Sequence, residues 1–310
     1  MIDVQPNSTI EDSQEEYKNI QCGYCNSSDI VKNGNRKNSN NIKQRYRCKN
    51  CGRSFILEKE FSGLKGNSKV VTLVLDLYFK GMSLRKIEDH LKQFYDIDVK
   101  YVTIYRWIRR FIRIMNDYVD TFKPEVGDVW QTDEMSIKSK GENVWLWNCL
   151  DKDTRFLLSN IVTSSRYVKD ARLVFHKARQ ISETKPTAII TDGLPAYYEA
   201  IQREFNWTPD KRKVEHVKLV AIRDHINNNR VERFHGSTRE RTKVLRGFKG
   251  NLQAQAILNG FRTYYNFIRP HYALDGKTPA QVSGIDLQLD GNRWLNLIQK
   301  SVHQPNCNKA

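Results

Sequence analysis

The spacing of apolar positions divides the chain into a helical part and a later part that is rich in strands. Over residues 67–120 the spacing is helical, and it predicts one helix, a break at Gly81 and a second helix capped by Ser83. Apolar residues then recur at i, i+3, i+4, i+7, i+8 and i+11 from Ile104. This repeat predicts a third helix, with Thr103 as its cap.

Beyond Pro124 the pattern becomes that of strands. The stretches DVWQTDEMSIKSK, NVWLWNCLD and TRFLLSNIVTSS are separated by the turn sequences KGEN and KDT, which predicts an antiparallel three-strand meander. Helical and short apolar stretches alternate after it, ending in a helix that contains NNNRVERFHGSTRER. We therefore predict an α/β domain over residues 124–285, with a mixed sheet covered on both faces. Residues 1–20 and 286–310 are predicted to be tails, the first of them disordered.

Four cysteines before the helical part form two CxxC pairs. Cys22 and Cys25 are one pair, Cys48 and Cys51 are the other, and 22 residues separate the pairs. Such pairs can present four thiolates in a tetrahedron, which suits Zn²⁺, and the segment between them is expected to hold a hairpin tip. A redox pair and an iron–sulfur cluster are the alternatives. We favour a structural zinc ribbon over residues 21–60, stabilised by its metal.

Positive charge is in excess and clustered. The formal net charge is +16, with 51 Lys and Arg against 35 Asp and Glu, and residues 36–53 contain seven basic residues and no acid. The polar face of the third predicted helix carries a further basic set, Arg106, Arg109, Arg110 and Arg113. A clustered excess of this size indicates a polyanionic partner, and nucleic acid is the leading candidate.

Three short helices with a basic last helix are typical of a helix-turn-helix, whose last helix enters a major groove. In this interpretation Thr103 and the four arginines of the third helix contact DNA. The alternative is an ordinary solvated basic face on a small bundle. No apolar run is long enough for a membrane span, and the acidic N-terminus is neither a signal nor a transit peptide, so we expect an intracellular protein.

Three acidic residues occur where such a fold can bring them together. Asp133 lies inside the first strand, where an aspartate needs a partner or a metal. Asp192 ends an apolar strand in the phrase TDG, and crevices of α/β sheets open beyond the carboxyl ends of strands. Glu232 lies on the last helix, which can aim it at both aspartates if it packs beside the first strand. Glu134 is expected to point to the opposite face of its strand.

Clustered carboxylates repel one another unless a cation holds them, and Mg²⁺ or Mn²⁺ takes oxygen ligands. Two such ions about 4 Å apart can activate an attacking oxygen and stabilise a leaving one on phosphate. One stripe of the last helix contains Asn228, Glu232, His235 and Arg239. Arginines of this helix are expected to contact the DNA backbone, with Arg239, two turns after Glu232, well placed for a phosphate near the metals. Arg230 and Arg233 are also expected to bind DNA.

The order of these acids on a strand, a strand end and a helix resembles the DDE triad of the RNase H-like integrase and transposase superfamily. Four phrases are similar to stretches of insertion-sequence transposases: TDEMSIKSKGENVWLWNCLD, IITDGLPAYYEAI, NNNRVERFHGSTRERTKVLRGFK and YYNFIRPHYALDGKTPAQVSGI. The resemblance covers about residues 128–285, and some relatives also begin with a zinc ribbon and a helix-turn-helix. It implies Mg²⁺-dependent cleavage at element ends and joining of the freed 3′-hydroxyl to target DNA, with Asp133, Asp192, Glu232 and Arg239 as the catalytic residues.

Some points stay open within this resemblance. Asp192 and Glu232 are separated by 39 residues, a few more than is typical of the relatives, and the extra length is expected in the polar loop NWTPDKRK. Glu240 is the rival third acid. A transposase-derived DNA-binding protein that no longer cleaves and a non-transposing nuclease are alternative functions. The resemblance also implies double-stranded DNA as the partner, at least a homodimer in the working complex, and a cytoplasmic, nucleoid-associated location in a prokaryote.

Overall fold

The structure is a computed structural model of the chain, and it describes residues 22, 25, 27–38, 41–56, 68–207, 210, 212–219 and 228–303. These residues fall into two compact units, 22–56 and 68–303. Within the described ranges, no helix is both long and apolar enough to cross a membrane. The predicted N-terminal tail and part of the loop NWTPDKRK lie outside the described residues.

The first unit is a three-stranded antiparallel sheet. β1 (Ile30–Asn38) pairs with β2 (Asn41–Cys48), and β2 pairs with β3 (Ser54–Ile56). The hairpin expected between the cysteine pairs is therefore present, but most of its polar stretch forms the paired strands themselves rather than a loop. An irregularity between Lys32 and Asn35 interrupts the register of the hairpin.

Three helices open the second unit, and they are α1 (Ser68–Phe79), α2 (Leu84–Tyr95) and α3 (Tyr101–Val119). As predicted, Ser83 caps α2, and its hydroxyl accepts a backbone hydrogen bond at 3.2 Å. The prediction that Thr103 caps α3 is wrong, because α3 begins after Lys100. The Glu88 carboxylate accepts the backbone N–H of Tyr101 at 2.8 Å and satisfies the first turn in place of a cap side chain.

A five-stranded mixed sheet forms the centre of the second unit. Its strands are β4 (Val129–Ser139), β5 (Glu142–Asp151), β6 (Leu157–Thr163), β7 (Ala188–Thr191) and β8 (Glu215–Lys218). Their order in the sheet is β6-β5-β4-β7-β8. β4 to β6 form the predicted antiparallel meander, and its first turn places Lys140 and Gly141 at positive φ, as a two-residue hairpin requires. β4, β7 and β8 run parallel, which confirms the predicted mixed sheet.

The remaining helices are α4 (Val168–Ser182), α5 (Pro195–Ile201), α6 (Asn229–Leu245), α7 (Asn251–Thr263), α8 (Pro279–Val282) and α9 (Arg293–His303). α5 and α7 each continue into a π-helical turn, at Gln202–Asn206 and Tyr264–Ile268. α4 and α5 separate the strands of the parallel part along the chain, so the predicted alternation of helix and strand is present.

α9 lies in the segment that was predicted to be a C-terminal tail. Its residues Trp294, Leu297 and Ile298 are buried, and the helix packs on α1 and α3. The Trp294 ring stacks on Phe79 and Tyr264, with ring centres 5.5 and 6.0 Å apart. The prediction of a tail is wrong for this segment, because an apolar stripe at i, i+3 and i+4 favours a packed helix.

α7 and α9 cover the apolar side of α3. The predicted stripe of α3 is buried along its whole length, at Ile104, Trp107, Ile108, Phe111, Ile112 and Met115. Gly260 lets α7 approach closely, since a Cβ there would lie 2.7 Å from the Ile112 Cδ1 and 2.9 Å from the Phe79 Cζ. The three N-terminal helices are thus part of the same packed unit as the sheet.

Side-chain alternation along β4 and β5 decides which helix each residue meets. Trp147 of β5 packs edge-on against Tyr197 of α5, so α5 covers that face. Asp133 and Asn148 are paired across β4 and β5 and lie on the opposite face, where both contact His235 of α6. The predicted covering of both faces by helices is confirmed.

A buried arginine joins α6 to the corner between α1 and α2. Arg241 is 1% exposed, and its Nη1 donates to the carbonyl oxygens of Tyr78 at 2.6 Å and Met82 at 2.7 Å. Its Cζ lies 3.7 Å from the centre of the Tyr78 ring. Carbonyl groups at the end of α1 carry partial negative charge, and they compensate the guanidinium in place of a carboxylate.

Replacing Arg241 with alanine should lower the free energy of unfolding of the second unit by about 3 kcal/mol or more, because it leaves a cavity and removes two hydrogen bonds to main-chain carbonyl oxygens. Urea unfolding followed by circular dichroism measures the change. Lys243→Ala, at an exposed position of the same helix, should change the free energy by less than about 0.5 kcal/mol. A loss below about 1 kcal/mol for Arg241→Ala would contradict this structural role.

Candidate active site

Three carboxyl groups meet where β4 and β7 separate. Asp133 and Glu134 are consecutive in β4, Asp192 directly follows β7, and one oxygen of each carboxylate lies within 4.8 Å of the others. The hydrogen-bonded register between the two strands ends at Gln131, which pairs with Ile190. The structure therefore brings the first two predicted acids together and adds Glu134 to them.

The carboxyl group of Asp133 lies in surroundings that oppose its charge. Burial raises its pKa, and the charges of Glu134, Asp192 and, more weakly, Glu232 raise it further, to about 7. The backbone N–H of Glu134 donates to Asp133 Oδ1 at 2.9 Å and acts in the opposite direction. Near neutral pH this carboxyl group is therefore partly protonated, unless a bound cation displaces the proton.

Two buried residues attach α6 to the strand that carries Asp133. The Asn228 side-chain amide, just before α6, donates to the Thr132 carbonyl oxygen at 3.4 Å. His235 Nδ1 lies 3.5 Å from Asp133 Oδ2, and its Nε2 lies 3.0 Å from the Asn148 amide nitrogen. Burial, assisted by the charge of a nearby arginine, lowers the pKa of His235 to about 4, so the ring is neutral near neutral pH. With the Asn148 amide donating to Nε2, the ring proton is on Nδ1 and faces Asp133.

Glu232 lies between these two attachments, one turn after Asn228 along α6. Its side chain is exposed, and it lies in the first turn, where the helix dipole favours a carboxylate. Among the described residues its oxygens are not part of the group within 4.8 Å, but its charge acts on Asp133. Glu232 is therefore at the edge of the acid cluster.

The rival third acid, Glu240, lies near a different part of the fold. A Cβ on Gly81, between α1 and α2, would lie 3.5 Å from the Glu240 carbonyl oxygen. The charge of Glu240 acts on Tyr264, whose pKa is raised chiefly by burial. These neighbours favour Glu232 over Glu240 as the third acid of the site that contains Asp133.

Glu134 is held by two side chains that the sequence did not single out. Arg166, in the loop before α4, forms an ion pair with Glu134 Oε1, and the Tyr197 hydroxyl donates to Oε2 at 2.5 Å. Arg166 Nη2 also lies 3.8 Å from Asp192 Oδ2, and its Cζ lies 4.6 Å from the centre of the Trp145 ring. As expected, Glu134 faces the sheet side opposite Asp133. The two carboxyl groups nevertheless come close together at the gap between β4 and β7.

The arginines predicted to contact DNA lie at the surface of the second unit. In α3, Arg106, Arg109 and Arg113 are exposed, while Thr103 and Arg110 are half-buried. In α6, Arg233 and Arg239 are exposed and Arg230 is half-buried. The charge of Arg239 acts on His235, the residue of α6 that contacts Asp133.

The four N-terminal cysteines form a separate cluster in the first unit. All four Sγ atoms lie within 4.8 Å of one another, with 3.6 Å between Cys22 and Cys51 and 3.5 Å between Cys25 and Cys48. Ligands at about 2.3 Å from a tetrahedral zinc ion are about 3.8 Å apart, so these spacings fit zinc. The backbone N–H of Cys51 is the main cause that lowers the pKa of the Cys48 thiol to about 6, while the pKa of its partner Cys25 is raised to about 11. Without a metal, Cys48 is therefore the thiolate of this pair.

The two clusters offer different donor atoms. The acid cluster contains carboxylate oxygens, which suit a hard divalent cation such as Mg²⁺ or Mn²⁺. Burial and the charges of neighbouring acids raise the pKa of Asp133, and the positive charge of such a cation would offset both effects. The cysteine cluster contains four sulfur atoms, which suit zinc. The residues present therefore fit both predicted metals.

Comparison with known proteins points to one family. A family model described as a DDE domain matches residues 127–271, a range that contains all three predicted acids. An uncharacterised protein of Methanocaldococcus jannaschii is 24% identical over 200 residues, which cover 62% of this chain and 83% of that protein. The transposase for the insertion sequence-like element IS431mec of Staphylococcus aureus is 25% identical over 148 residues. That match covers 46% of this chain and 65% of the transposase.

Comparison with solved structures finds viral integrases among the matches. The catalytic core domain of HTLV-2 integrase in complex with magnesium is 20% identical, with a TM-score of 0.39, and the match covers 52% of this chain and 98% of that domain. The simian T-cell lymphotropic virus intasome, in complex with the PP2A regulatory subunit B56 gamma, is 15% identical with a TM-score of 0.38. That match covers 52% of this chain and 56% of the other.

Cation binding at the acid cluster should depend on pH in a defined direction. The Asp133 carboxyl group has a raised pKa of about 7 in the metal-free protein, and a cation must displace its proton. Apparent Mn²⁺ affinity should therefore rise by up to about tenfold per pH unit below pH 7 and level off above it. Isothermal titration calorimetry at several pH values measures this dependence, and an affinity that is flat below pH 7 would contradict it.

The free energy of unfolding of the metal-free protein should also depend on pH through Asp133. Because the folded pKa of Asp133 is above its ordinary value of 3.8, its contribution to the free energy of unfolding is present below that value and is lost as pH rises through about 7. Asp133→Asn should remove this part of the pH dependence when the free energy of unfolding is measured in the presence of a metal chelator. A variant that keeps the wild-type pH profile would show that another group is responsible.

Removal of zinc should unfold the first unit and leave the second folded. Purified protein should contain about one zinc ion per chain, and Cys51→Ser should lose it, because three thiolates bind zinc less tightly than four. Hydrogen exchange should then show loss of amide protection in β1 to β3 and retained protection in β4 and β5. Equal protection of β1 to β3 with and without zinc would contradict a structural metal.

Proposed function

We propose that the chain is a DDE transposase of an insertion sequence, which binds the ends of a mobile element and catalyses metal-dependent DNA cleavage and strand transfer. The match of residues 127–271 to a DDE domain supports this proposal. Asp133, Asp192 and Glu232 form the catalytic triad in this proposal. The domain organisation that goes with it is a zinc ribbon over residues 21–60, a helix-turn-helix over 67–120 and an RNase H-like catalytic domain from 124.

The observation that carries the proposal is the approach of Asp133 and Asp192 at the carboxyl end of β7. These carboxylates come from separate strands, and their repulsion has no benefit for folding. When a fold retains a carboxylate cluster that destabilises it, the cluster usually binds a cation or takes part in catalysis. The charge of Glu232 on Asp133 supports its place as the third acid, at the exposed edge that a DNA strand can reach.

In the proposed reaction, divalent ions held by these carboxylates would activate the attacking oxygen and stabilise the leaving oxygen at the scissile phosphate. The protein's own task is to keep the acids in place. His235 and Asn228 fix α6 against β4, so that Glu232 is presented beside Asp133. Arg239, exposed farther along the same helix, is suited to neutralise a DNA phosphate next to the site.

DNA binding is assigned to basic surfaces outside the acid cluster. In the proposal, Arg106, Arg109 and Arg113 on the exposed side of α3 contact the terminal sequences, together with Thr103 and Arg110. Arg230 and Arg233 contact the backbone near the catalytic site. The packing of α3 on α7 supports a rigid connection between end recognition and catalysis, since α7 also packs on β6.

Strand transfer joins two element ends to one target, so the working complex in this proposal contains at least two copies of the chain on double-stranded DNA. The net charge of +16 supports a partner with many phosphates. Affinity for DNA should accordingly fall steeply with salt concentration.

The proposal predicts metal-dependent cleavage at one defined position in DNA that flanks the gene. Labelled end fragments are incubated with full-length protein and Mn²⁺ or Mg²⁺, and nicked and joined products are resolved on a denaturing gel. Asp133→Ala, Asp192→Ala and Glu232→Gln should each reduce cleavage by a factor on the order of 10³ or more, because each removes a metal ligand. DNA binding measured by gel shift should change little.

Glu240→Gln is the matched control, since it makes the same change at an exposed position of the same helix. It should cleave within about twofold of wild type. Loss of cleavage in Glu240→Gln with retained cleavage in Glu232→Gln would reassign the third acid. Tight, salt-sensitive binding without cleavage in either metal would instead support a DNA-binding protein that no longer cleaves.

A further inference from the structure

Together with Glu232, the acid cluster offers one carboxylate more than a DDE triad requires. Asp133, Glu134 and Asp192 all offer an oxygen to the same small volume, and Glu232 is available from α6. If all four acids were free, a divalent cation could choose between two different sets of ligands. Phosphoryl transfer depends on the exact position of the cation. Two competing ligand sets would divide the cation between positions, and only one of these positions would support the reaction.

Glu134 differs from the two aspartates in the kind of partner that holds it. Asp133 and Asp192 each accept a backbone N–H at Oδ1, at 2.9 and 3.0 Å, whereas a guanidinium and a hydroxyl group hold the two oxygens of Glu134. Oε1 is paired with the guanidinium of Arg166, and Oε2 accepts the hydroxyl proton of Tyr197 at 2.5 Å. The Glu134 side chain is only 1% exposed, whereas that of Asp192 is 44% exposed. Glu134 is therefore held by the fold, and Asp192 remains open to solvent.

Arg166 is itself fixed in a position that serves both acids. Its Cζ lies 4.6 Å from the centre of the Trp145 ring, close enough for a cation–π contact. From there it pairs with Glu134 and reaches to 3.8 Å from Asp192 Oδ2. A guanidinium stays charged in proteins and is planar, so it can form a close ion pair with one carboxylate and a weaker, longer-range attraction to a second.

We infer that Arg166 is a positioning residue that keeps Glu134 out of the metal-ligand set, so that divalent cations bind between Asp133 and Asp192. The inference rests on the proposed function, because it concerns the same metal site. Arg166 does not touch the reacting atoms in this role. It decides which carboxylates are available to the metal by giving Glu134 a permanent cationic partner.

This role predicts that replacing Arg166 and replacing Glu134 change the affinity for Mn²⁺ in opposite directions. Arg166→Gln frees Glu134 and adds one negative charge to the site, so Mn²⁺ should bind about tenfold more tightly. Cleavage should nevertheless fall by about 10-fold to 100-fold, because the metal is drawn to a wrong position. Glu134→Gln frees Arg166 to pair with Asp192, so Mn²⁺ should bind more weakly than in wild type.

The double variant completes the test. With both Arg166→Gln and Glu134→Gln, the extra acid and its counter-ion are both absent, and Mn²⁺ affinity should return to within about threefold of wild type. Arg203→Gln is the matched control, since Arg203 also pairs with a glutamate, Glu199, but on the surface of the α5 segment. It should keep wild-type affinity and cleavage.

The experiment uses the zinc-loaded full-length protein, with free Mn²⁺ measured by electron paramagnetic resonance and folding checked by circular dichroism. Mn²⁺ affinity that is unchanged or weaker in Arg166→Gln would overturn the inference. A higher KM for DNA in Arg166→Gln that Glu134→Gln does not reverse would also overturn it, and would make Arg166 a DNA contact. A wild-type protein whose Mn²⁺ binding does not depend on Asp133 would instead contradict the proposed function itself.

Discussion

The repulsion between carboxylates at the gap between β4 and β7 is the constraint on which the rest of the site depends. Asp133, Glu134 and Asp192 come within a few ångströms of one another, and Asp133 is buried enough to hold a proton near neutral pH. A cluster of this kind is unfavourable unless positive charge, hydrogen-bond donors or a metal compensate it. The neighbours of the acids can be understood as parts of that compensation.

Each neighbour acts on a different acid. Arg166 and Tyr197 hold Glu134 from the sheet face covered by α5, while His235 approaches Asp133 from the face covered by α6. Of the three clustered acids, Asp192 is the most open to solvent, with its side chain 44% exposed. The exposure of Asp192 and Glu232 makes this edge of the cluster accessible to a cation and a phosphate, which is the condition that metal-assisted phosphoryl transfer needs.

α6 links this site to the remainder of the second unit. Asn228 just before it and Glu232 and His235 in its first two turns lie beside β4. Its later part carries Arg241, which is buried against the corner of α1 and α2. A displacement of the N-terminal helices would therefore act on the same helix that presents Glu232. This continuity explains why the helices that precede the sheet pack with it as one compact unit.

Much of this fold could be predicted from the sequence because its elements have strong local signals. The apolar repeat of α3 and the turn sequences of the β4–β6 meander specify their own structures. Thr103 was misassigned as a cap because Glu88, from another helix, satisfies the first turn of α3. α9 was missed although Trp294, Leu297 and Ile298 have helical spacing, since a single short stripe beside a chain end is a weak signal.

The candidate site was predictable only where a residue has an unusual position along the chain. Asp133 inside a strand and Asp192 at a strand end stand out in this way, and the stripe of α6 pointed to Glu232. Arg166 has no such signal, because it lies in a polar loop and its role depends on acids that are 26 or more positions away in sequence. The function of Glu134 likewise follows from its partners and not from the alternation of side chains along β4.

The measurement that tests this account most directly is the position of Mn²⁺ in crystals of the protein, located by anomalous diffraction. The account predicts a peak coordinated by the carboxylates of Asp133 and Asp192, with Glu134 still paired to Arg166 and Tyr197. A peak coordinated by Glu134, or no peak at the acid cluster in crystals whose cysteine cluster contains zinc, would contradict it.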